Sequence, residues 1–314
     1  MPTGNPDTPV LADGDLAGFT RTERAPAKIN LALHVTGRRA DGYHLLDMLV
    51  TFTRFGDRLG LSPDKEDHLT LSGRFASAIA PGSDNLVVRA RDLLRAALAR
   101  HGRPAPPVHL HLEKNLPVAS GIGGGSADAA ATLRGLSRLW KARLAKGELA
   151  ELALKLGADV PMCLDSVPVT ARGVGEEIEA LPDLPVFAMV LANPLVAVPT
   201  PDVFRALASR TNPPMALARG LRCADDWLEA LAETRNDLEA PARALCPQID
   251  EVSALLSASG ARFVRMSGSG ATCFGIYGSV ETAEAAAGTL REHYAGWFFA
   301  ATETVTGGSR PWDA

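Results

Sequence analysis

The feature that most constrains this chain is a glycine-rich stretch at residues 121–125, in which only Ile122 is not glycine. Without Cβ atoms, the backbone of such a stretch can come close to a ligand and present its N–H groups to it. An alanine-rich segment with the composition of a helix begins at Ser126. Because the N-terminus of a helix carries unpaired N–H donors and a partial positive charge, the sequence predicts an anion site here, with phosphate as the natural ligand.

Other kinds of segment also contain many glycines. A flexible turn before a helix needs no ligand, and this interpretation stays open on the stretch alone. A dinucleotide-binding G-x-G-x-x-G motif is incomplete, because position 126 is serine and Lys141 stands near the offset of about 20 residues where an acidic residue is needed. A P-loop is excluded, since G-x-x-x-x-G-K-[ST] occurs nowhere in the chain.

The composition is that of a globular protein large enough for two domains, with 314 residues, 46% of them hydrophobic and 22% charged. A formal net charge of -4 gives no sign of a surface for nucleic acid or an anionic membrane, so neither is expected as a partner. No segment reaches the ~20 apolar residues of a membrane span, and no export signal is visible. We expect a cytoplasmic protein in which residues 1–20 form a flexible tail.

Neither the cysteines nor the histidines form a recognisable metal motif. The cysteines are far apart and are expected to be buried, reduced thiols: Cys163, Cys223, Cys246 and Cys273. His109 and His111 would share one face of a strand, but no third ligand follows at a suitable spacing. We therefore interpret both as solvated strand residues.

Apolar periodicity divides the chain into strands and helices. Residues 28–35 alternate, which predicts a strand buried on one face, with Lys28 and Asn30 on its polar face. An Asp-Gly turn at positions 41–42 separates this strand from a second one at 45–53. Further strands are predicted at 108–112, 186–192, 262–266, 272–277 and 297–302, and helices at 85–100, 126–140, 147–156 and 281–293, with helices dominating 201–258.

Several motifs, in order along the chain, resemble those of the GHMP kinases, a superfamily of small-molecule kinases. They are A-P-A-K-I-N-L at 25–31, the glycine-rich stretch with its preceding Pro117, G-A-D-V-P at 157–161, G-V-G-E at 173–176, P-T-P at 199–201, N-D-L-E at 236–239 and M-S-G-S-G at 266–270. The segment G-R-R-A-D-G-Y-H at 37–44 is similar to one specific to members that act on an alcohol bearing a diphosphocytidyl group.

This resemblance spans about residues 25–275 and implies an α+β fold, the two-domain GHMP kinase fold. The N-terminal domain, 21–175, would be ribosomal-S5-like and would bind ATP. The C-terminal domain, 176–314, would be ferredoxin-like, with a four-stranded sheet and helices. The substrate would lie in the cleft between the domains.

The resemblance also implies roles for individual residues. Lys28 and Asp159 match the catalytic lysine and aspartate. The ATP-phosphate loop, called the phosphate loop below, is matched by Pro117, Val118, Ala119, Ser120, Gly121, Ile122, Gly123, Gly124, Gly125, Ser126 and Ala127. Asn85 and Lys114 match positions near the nucleotide base. On the substrate side, Tyr43 and Phe204 match aromatic residues that sandwich a cytosine, His44 matches a residue that hydrogen-bonds its edge, and Asn30 and Thr200 match further substrate contacts.

Some of these residues also have interpretations without catalysis. Asp159 after Gly-Ala is typical of a turn or a helix cap, and Lys28 alone would be an exposed strand lysine. Ser126 would serve as an N-cap as readily as it would bind phosphate. Ala127 and Asp128 stand where serine and asparagine are common in the superfamily, which weakens any assignment of metal or nucleotide contacts to these two positions.

A kinase that acts on an alcohol needs an anchored triphosphate, a positioned hydroxyl and compensation of charge. Asp159 would accept the hydroxyl proton as general base, and Lys28 would hold that carboxylate ionised. The expected co-substrate is ATP and the expected cofactor Mg²⁺, with no metal ligand assigned. Two alternatives stay open, a kinase for another small alcohol such as homoserine or mevalonate and a catalytically dead relative that binds ligand. The chain is expected to be a monomer or a weak homodimer.

Overall fold

Two β-sheets organise the computed structural model, which describes residues 16–79, 82, 84–145, 147–217 and 220–307. The strands are β1 (Arg21–Arg38), β2 (His44–Pro63), β3 (His68–Ser72), β4 (Val108–Glu113), β5 (Val169–Gly173), β6 (Glu177–Ala180), β7 (Ala188–Asn193), β8 (Phe263–Met266), β9 (Cys273–Tyr277) and β10 (Phe298–Glu303). The α-helices are α1 (Leu86–Arg100), α2 (Gly124–Leu139), α3 (Glu148–Leu156), α4 (Val160–Asp165), α5 (Thr200–Arg205), α6 (Ala224–Ala232), α7 (Glu239–Leu245), α8 (Gln248–Ala258) and α9 (Val280–His293).

The first sheet is built on the long antiparallel hairpin of β1 and β2. Strand β2 also pairs with β4 near one end and with β5 near the other, which gives the order β3-β4-β2-β5-β6 with β1 on β2. Strands β3 and β4 pair in parallel and are connected through α1, so this part of the sheet is a β-α-β unit. Strand β6 belongs to this sheet although it lies beyond the boundary predicted at residue 175.

The strand predicted at 28–35 is confirmed, but its polar face is not exposed to solvent. Lys28 and Asn30 are buried, with 4% and 1% of their surface accessible. The second half of the chain lies along the edge of β1 that faces away from β2, where the Asn30 N–H donates to Ser267 Oγ at 3.0 Å and the Leu33 N–H donates to the Arg235 carbonyl at 2.9 Å. The interpretation of Lys28 as an exposed strand lysine is therefore wrong.

The second sheet has the antiparallel order β10-β7-β9-β8, which confirms the four-stranded sheet expected for the C-terminal half. Helices α8 and α9 pack on it. Three cysteines are buried as predicted, whereas Cys223 is exposed. Among the described residues, no helix is long and apolar enough to cross a membrane.

Helix α2 is the element that fixes the phosphate loop in place. It packs against β1, β2, α1 and α4, and its buried alanines allow this close contact on several sides. A Cβ at Gly135 would lie 2.7 Å from the Leu61 side chain, so the helix meets the first sheet at van der Waals distance. Buried Arg134 adds an ion pair, its Nε lying 3.2 Å from Glu23 Oε2 of β1. The N-terminus of α2 is thus held rigidly.

The described end of the predicted flexible tail packs on the first sheet. Leu16 is buried, the Phe19 ring lies 4.9 Å from the His109 ring, and the Thr20 N–H donates to Ser62 Oγ at 2.9 Å. The tail prediction is wrong for residues 16–20, because Leu16 and Phe19 supply apolar surface that the sheet buries. The rest of the predicted tail lies outside the described residues.

Candidate active site

A cavity of about 1010 Å³ opens between the phosphate loop, the β1–β2 turn and segments of the second half of the chain. It is lined by most of the predicted site residues: Lys28, Asn30, Tyr43, His44, Lys114, Pro117, Val118, Ala119, Ser120, Gly121, Gly123, Gly124, Gly125, Ser126, Asp159, Thr200 and Phe204. Its volume is at the top of the ~300–1,000 Å³ that is usual for one small ligand.

Lys28 and Asp159 meet in this cavity. Lys28 Nζ lies 2.7 Å from Asp159 Oδ2, and the Lys28 side chain is 5% exposed against 38% for Asp159. Asp159 occupies the N-cap position of α4, yet its side chain makes no capping hydrogen bond. The carboxylate is instead paired with the lysine on one side and open to the cavity on the other. A capping role therefore does not account for Asp159.

The phosphate loop requires glycine for contacts with the protein as well as for access by a ligand. Gly121 and Gly123 have φ angles of 76° and 63°, in the left-handed region that favours glycine. A Cβ at Gly121 would lie 2.5 Å from the Ser267 carbonyl oxygen, and one at Gly123 would lie 3.1 Å from Lys28 Cβ. The loop is thus pressed against both halves of the chain. The glycine-rich stretch is therefore not a plain flexible turn.

Helix α2 begins two residues earlier than predicted. Its N-cap is Gly123, which makes no side-chain capping bond, and Ser126 lies in the first turn with its side chain lining the cavity. The N-cap interpretation of Ser126 is therefore wrong. The first N–H groups of α2 have no intrahelical acceptors and suit an anion. Two members of the predicted loop, Ile122 and Ala127, are instead buried in the core, at 0% and 1% exposure.

Lys114 lies beneath the phosphate loop, between two carboxylates. Its Nζ donates to Asp128 Oδ2 at 2.7 Å and also to Asp57, and its side chain is 2% exposed. Asp57 in turn accepts the N–H groups of Asn115 and Leu116, at 2.6 and 2.8 Å. Burial, and then the neighbouring Asp128 carboxylate, raise the pKa of Asp57 well above its ordinary value. Lys114 lines the cavity with its ammonium paired to two carboxylates, and its predicted place near the nucleotide base stays a prediction.

Asn85 caps a helix, a role that was not predicted from the sequence. Its side chain caps α1 by accepting the Val87 N–H at 2.9 Å. Asn85 is not among the cavity residues, whereas the neighbouring Leu86 and Ile79 are. Asn85 therefore caps a helix next to the cavity, and its predicted place near the nucleotide base stays a prediction.

The three predicted base-binding residues share the cavity but are arranged differently from the prediction. The rings of His44 and Phe204 stack, with centroids 4.6 Å apart and planes inclined by 25°. Tyr43 is 62% exposed. The sandwich of Tyr43 and Phe204 is therefore not preformed, because His44 already covers a face of Phe204. Thr200 begins α5, where its hydroxyl lies 2.7 Å from Ser269 Oγ.

Three polar atoms of the cavity residues are buried without a hydrogen-bond partner among the described residues: Asn30 Oδ1, His44 Nε2 and Arg210 Nε. Buried polar groups are nearly always paired, so unpaired ones on a cavity wall indicate a polar ligand. Burial, together with the charges of Arg38 and Arg210, lowers the pKa of His44. Its imidazole is therefore neutral at neutral pH and has one donor and one acceptor nitrogen.

Sequence reasoning missed some residues of the cavity. Arg38 and Arg210 line it, and their positive charges suit an anionic substrate. Arg38 stands in the G-R-R-A-D-G-Y-H motif, whereas no sequence signal points to Arg210. The M-S-G-S-G motif was recognised without a role, and the structure places its Gly268 and Ser269 on the cavity wall.

Comparisons with known proteins agree with this geometry. Family models of the GHMP kinases N terminal domain and the GHMP kinases C terminal match residues 85–166 and 216–296. The 4-diphosphocytidyl-2-C-methyl-D-erythritol kinase of Rhizobium johnstonii is 64% identical over 91% of this chain and 94% of its own length, and that of Agrobacterium fabrum is 59% identical over 93% and 99%.

Solved structures lead to the same group. A crystal structure of 4-(cytidine 5'-diphospho)-2C-methyl-D-erythritol kinase has a TM-score of 0.75 and 37% identity, covering 91% of this chain and 100% of that one. A homoserine kinase from Cytophaga hutchinsonii, with a TM-score of 0.61 and 17% identity over 92% and 95%, shares the fold. The chain therefore belongs to the 4-diphosphocytidyl-2-C-methyl-D-erythritol kinases of the GHMP kinase superfamily.

Proposed function

We propose that this chain transfers the γ-phosphoryl group of ATP to the 2-hydroxyl of 4-diphosphocytidyl-2-C-methyl-D-erythritol, giving the 2-phosphate and ADP. This is the kinase step of the non-mevalonate, or methylerythritol phosphate, route to isoprenoid precursors. The observation that carries the proposal is the pairing of Lys28 with Asp159, at 2.7 Å, in the same cavity as the phosphate loop. Phosphoryl transfer depends mainly on positioning and on stabilisation of charge, and this arrangement supplies both.

The phosphate loop would hold the triphosphate. Gly123, Gly124 and Gly125 lead directly into the first turn of α2, so their backbone N–H groups and the helix dipole act on the same anion. The burial of Ile122 and Ala127 anchors the loop from below. Neither residue would touch the nucleotide, and their part is to keep the loop in shape before ATP arrives.

Asp159 would act as the general base. Its carboxylate is partly exposed to the cavity and would accept the proton of the substrate hydroxyl while that oxygen attacks phosphorus. The Lys28 ammonium would remain next to the carboxylate and stabilise the negative charge that develops on the attacking oxygen. The unpaired amide oxygen of Asn30 and the Thr200 hydroxyl would orient the erythritol end of the substrate.

Tyr43, His44 and Phe204 would recognise the cytosine. The base would stack on Phe204 once the His44 ring has turned towards the base edge, where its unpaired Nε2 gains a partner. Exposed Tyr43 would cover the other face of the base. Arg38 and Arg210 would lie near the diphosphate that joins the cytidine to the erythritol.

Magnesium is the cofactor expected for this reaction. The available donors suit a hard cation, because the Ser126 hydroxyl and the Asp159 carboxylate both line the cavity and offer oxygen atoms. Ser126 would hold the ion together with phosphate oxygens. When bound, Mg²⁺ supplies charge neutralisation to the triphosphate. A cytoplasmic location, the absence of nucleic-acid partners and the state of monomer or weak homodimer stay predictions from the sequence.

A substrate panel tests the proposal. Consumption of ATP is measured with 4-diphosphocytidyl-2-C-methyl-D-erythritol, mevalonate and homoserine, at equal concentrations of the acceptors. We expect turnover with the cytidine-bearing alcohol alone and identify the product as the 2-phosphate by phosphorus NMR. Preference for mevalonate or homoserine would overturn the substrate assignment. ATP binding without turnover of any acceptor would support the catalytically dead relative instead.

A further inference from the structure

A group of potential metal ligands lies on the first sheet, outside the active-site cavity. His68 of β3 and His109 of β4 are direct partners in the parallel ladder, and their rings stack with centroids 4.0 Å apart. Asp64, between β2 and β3, places its Oδ2 at 3.8 Å from His68 Nδ1. These three residues are called the His68 cluster below. None of them belongs to the lining of the active-site cavity.

The spacing of the His68 cluster suits a small cation. One ligand atom from each residue can be chosen such that all three atoms lie within 4.8 Å of one another. In a tetrahedral site with metal–nitrogen bonds of ~2.0–2.1 Å, ligand atoms are about 3.4 Å apart. The stacked rings do not aim their nitrogens at one point, so binding requires the His68 side chain to turn out of the stack, which its exposure allows without moving the strands.

A neighbouring hydroxyl holds the His109 ring in place. Thr70 Oγ1 lies 2.7 Å from His109 Nε2 and also 2.7 Å from His111 Nδ1. Metal-binding imidazoles usually have such a partner on the second ring nitrogen, which fixes the orientation of the ring.

We propose that Asp64, His68 and His109 form a binding site for one late first-row transition-metal cation. Zn²⁺ is the expected ion, and its fourth coordination position is open. Two imidazoles and one carboxylate favour such an ion over Mg²⁺ or Ca²⁺, which prefer oxygen ligands alone. The spacing of His109 and His111 along the chain does not reveal this site, because His68 lies next to His109 only through the pairing of β3 with β4. His109 lies five residues before Lys114, so about 16 Å of extended chain separates the site from the lysine that lies beneath the phosphate loop.

The test uses the full chain without a histidine tag, freed of metal by chelation and titrated with ZnCl₂ in a calorimeter. We expect one equivalent to bind in the micromolar range. His68→Ala and His109→Ala should each weaken binding by more than the ~10–100-fold that the loss of an outer partner costs, and Thr70→Val should weaken it by that amount. His293→Ala is the matched control, because this exposed histidine lies on α9, where its Nδ1 bonds the Thr289 carbonyl.

Three outcomes would overturn the site. The first is wild-type binding only in the millimolar range, and the second is unchanged affinity in His68→Ala or His109→Ala. The third is an equal loss in His293→Ala, which would mean that scattered surface imidazoles hold the ion. Unfolding temperatures of the metal-free variants, measured alongside, establish that each variant is folded. Kinase activity is not the readout, so the proposal stands or falls independently of the proposed function.

Discussion

The main-chain N–H of Lys28 donates a hydrogen bond to the carbonyl oxygen of Ile122 at 2.9 Å. The strand that carries the proposed catalytic lysine is thereby joined to the loop proposed to hold the phosphates. The same contact explains why position 123 is glycine, since a Cβ there would lie 3.1 Å from Lys28 Cβ. Phosphate donor and general base therefore share one rigid frame, and a shift of the loop also displaces the Lys28–Asp159 pair.

Asp159→Asn tests the general base. The substitution keeps the size of the side chain and a carbonyl oxygen for Lys28, so we expect the fold and ATP affinity to be unchanged. A general base contributes roughly 10²–10⁴-fold to the rate, and kcat should fall by that factor. Asp183→Asn, at an exposed position, is the control and should leave kcat unchanged. A kcat near the wild-type value in Asp159→Asn would remove this residue from the mechanism.

Substitutions at two glycines of the phosphate loop test ligand binding and structural packing separately. At Gly125 a Cβ would meet only Leu86 Cδ1, at 3.3 Å, and φ is not in the left-handed region. Gly125→Val should therefore leave a folded protein with a much higher Kd for ATP, because the branched side chain blocks the approach of the phosphates. Calorimetry with ATP measures this, and unchanged affinity in the folded variant would contradict the loop assignment.

Gly121→Ala is the companion experiment. Its Cβ would lie 2.5 Å from the Ser267 carbonyl oxygen, and its φ of 76° is unfavourable for alanine. We expect loss of stability in denaturant unfolding, by at least the ~1 kcal/mol that a non-glycine residue costs in this region. A variant that is as stable as wild type would mean that the loop does not press against the second half of the chain.

Local patterns predicted many elements of this fold, because periodicity and turn residues act over a few positions, whereas the short strands β3, β5 and β6 were not predicted. The strands at 108–112 and 272–277 and the helix at 85–100 lie within a residue or so of the observed bounds. What covers an element is decided by distant residues, and no local pattern records it. The burial of Lys28 and Asn30 is one example, since the second half of the chain lies along β1 and bonds its main chain through Ser267 and Arg235.

The same limit applies to the site. The sequence offered Lys28 and Asp159 as separate candidates, and only the family resemblance suggested that they act together across 131 positions. Lys114 lines the cavity as predicted, but its pairing with Asp57 was not predicted, because Asp57 is far away in sequence. The helix cap made by Asn85 could have been predicted from the sequence, since an asparagine directly before a helix is a frequent cap.

Lys114→Met tests whether this lysine is structural. Removing the ammonium leaves Asp57 and Asp128 buried beside each other without a counter-charge. Breaking a buried ion pair from one side typically costs ~3–5 kcal/mol, and we expect the free energy of unfolding to fall by about that amount. Urea denaturation measures the loss, with exposed Lys155→Met as the matched control. Unchanged stability combined with a higher KM for ATP would instead support the predicted place of Lys114 near the nucleotide base.

The last prediction concerns how the cytosine is held. Tyr43 is exposed, so Tyr43→Ala should not affect folding, whereas loss of one stacking face costs ~1–3 kcal/mol per base. We therefore expect a KM for the cytidine-bearing substrate that is roughly 5- to 150-fold higher, with a smaller change in kcat. Tyr43→Phe is the matched control, because it keeps the ring and should keep the wild-type KM.

Variants of His44 and Tyr43 distinguish two arrangements of the cytosine site. Its ring stacks on Phe204, at 4.6 Å, where the base is expected. If the base displaces it, His44→Ala opens the Phe204 face but removes the edge contact, so the loss should be specific to cytidine over uridine substrates. If His44 stays on Phe204, the base would lie elsewhere and Tyr43→Ala would leave KM unchanged. Steady-state kinetics of both variants with cytidine and uridine diphosphate substrates distinguish the two, and only the first result agrees with a cytosine clamped between Tyr43 and Phe204.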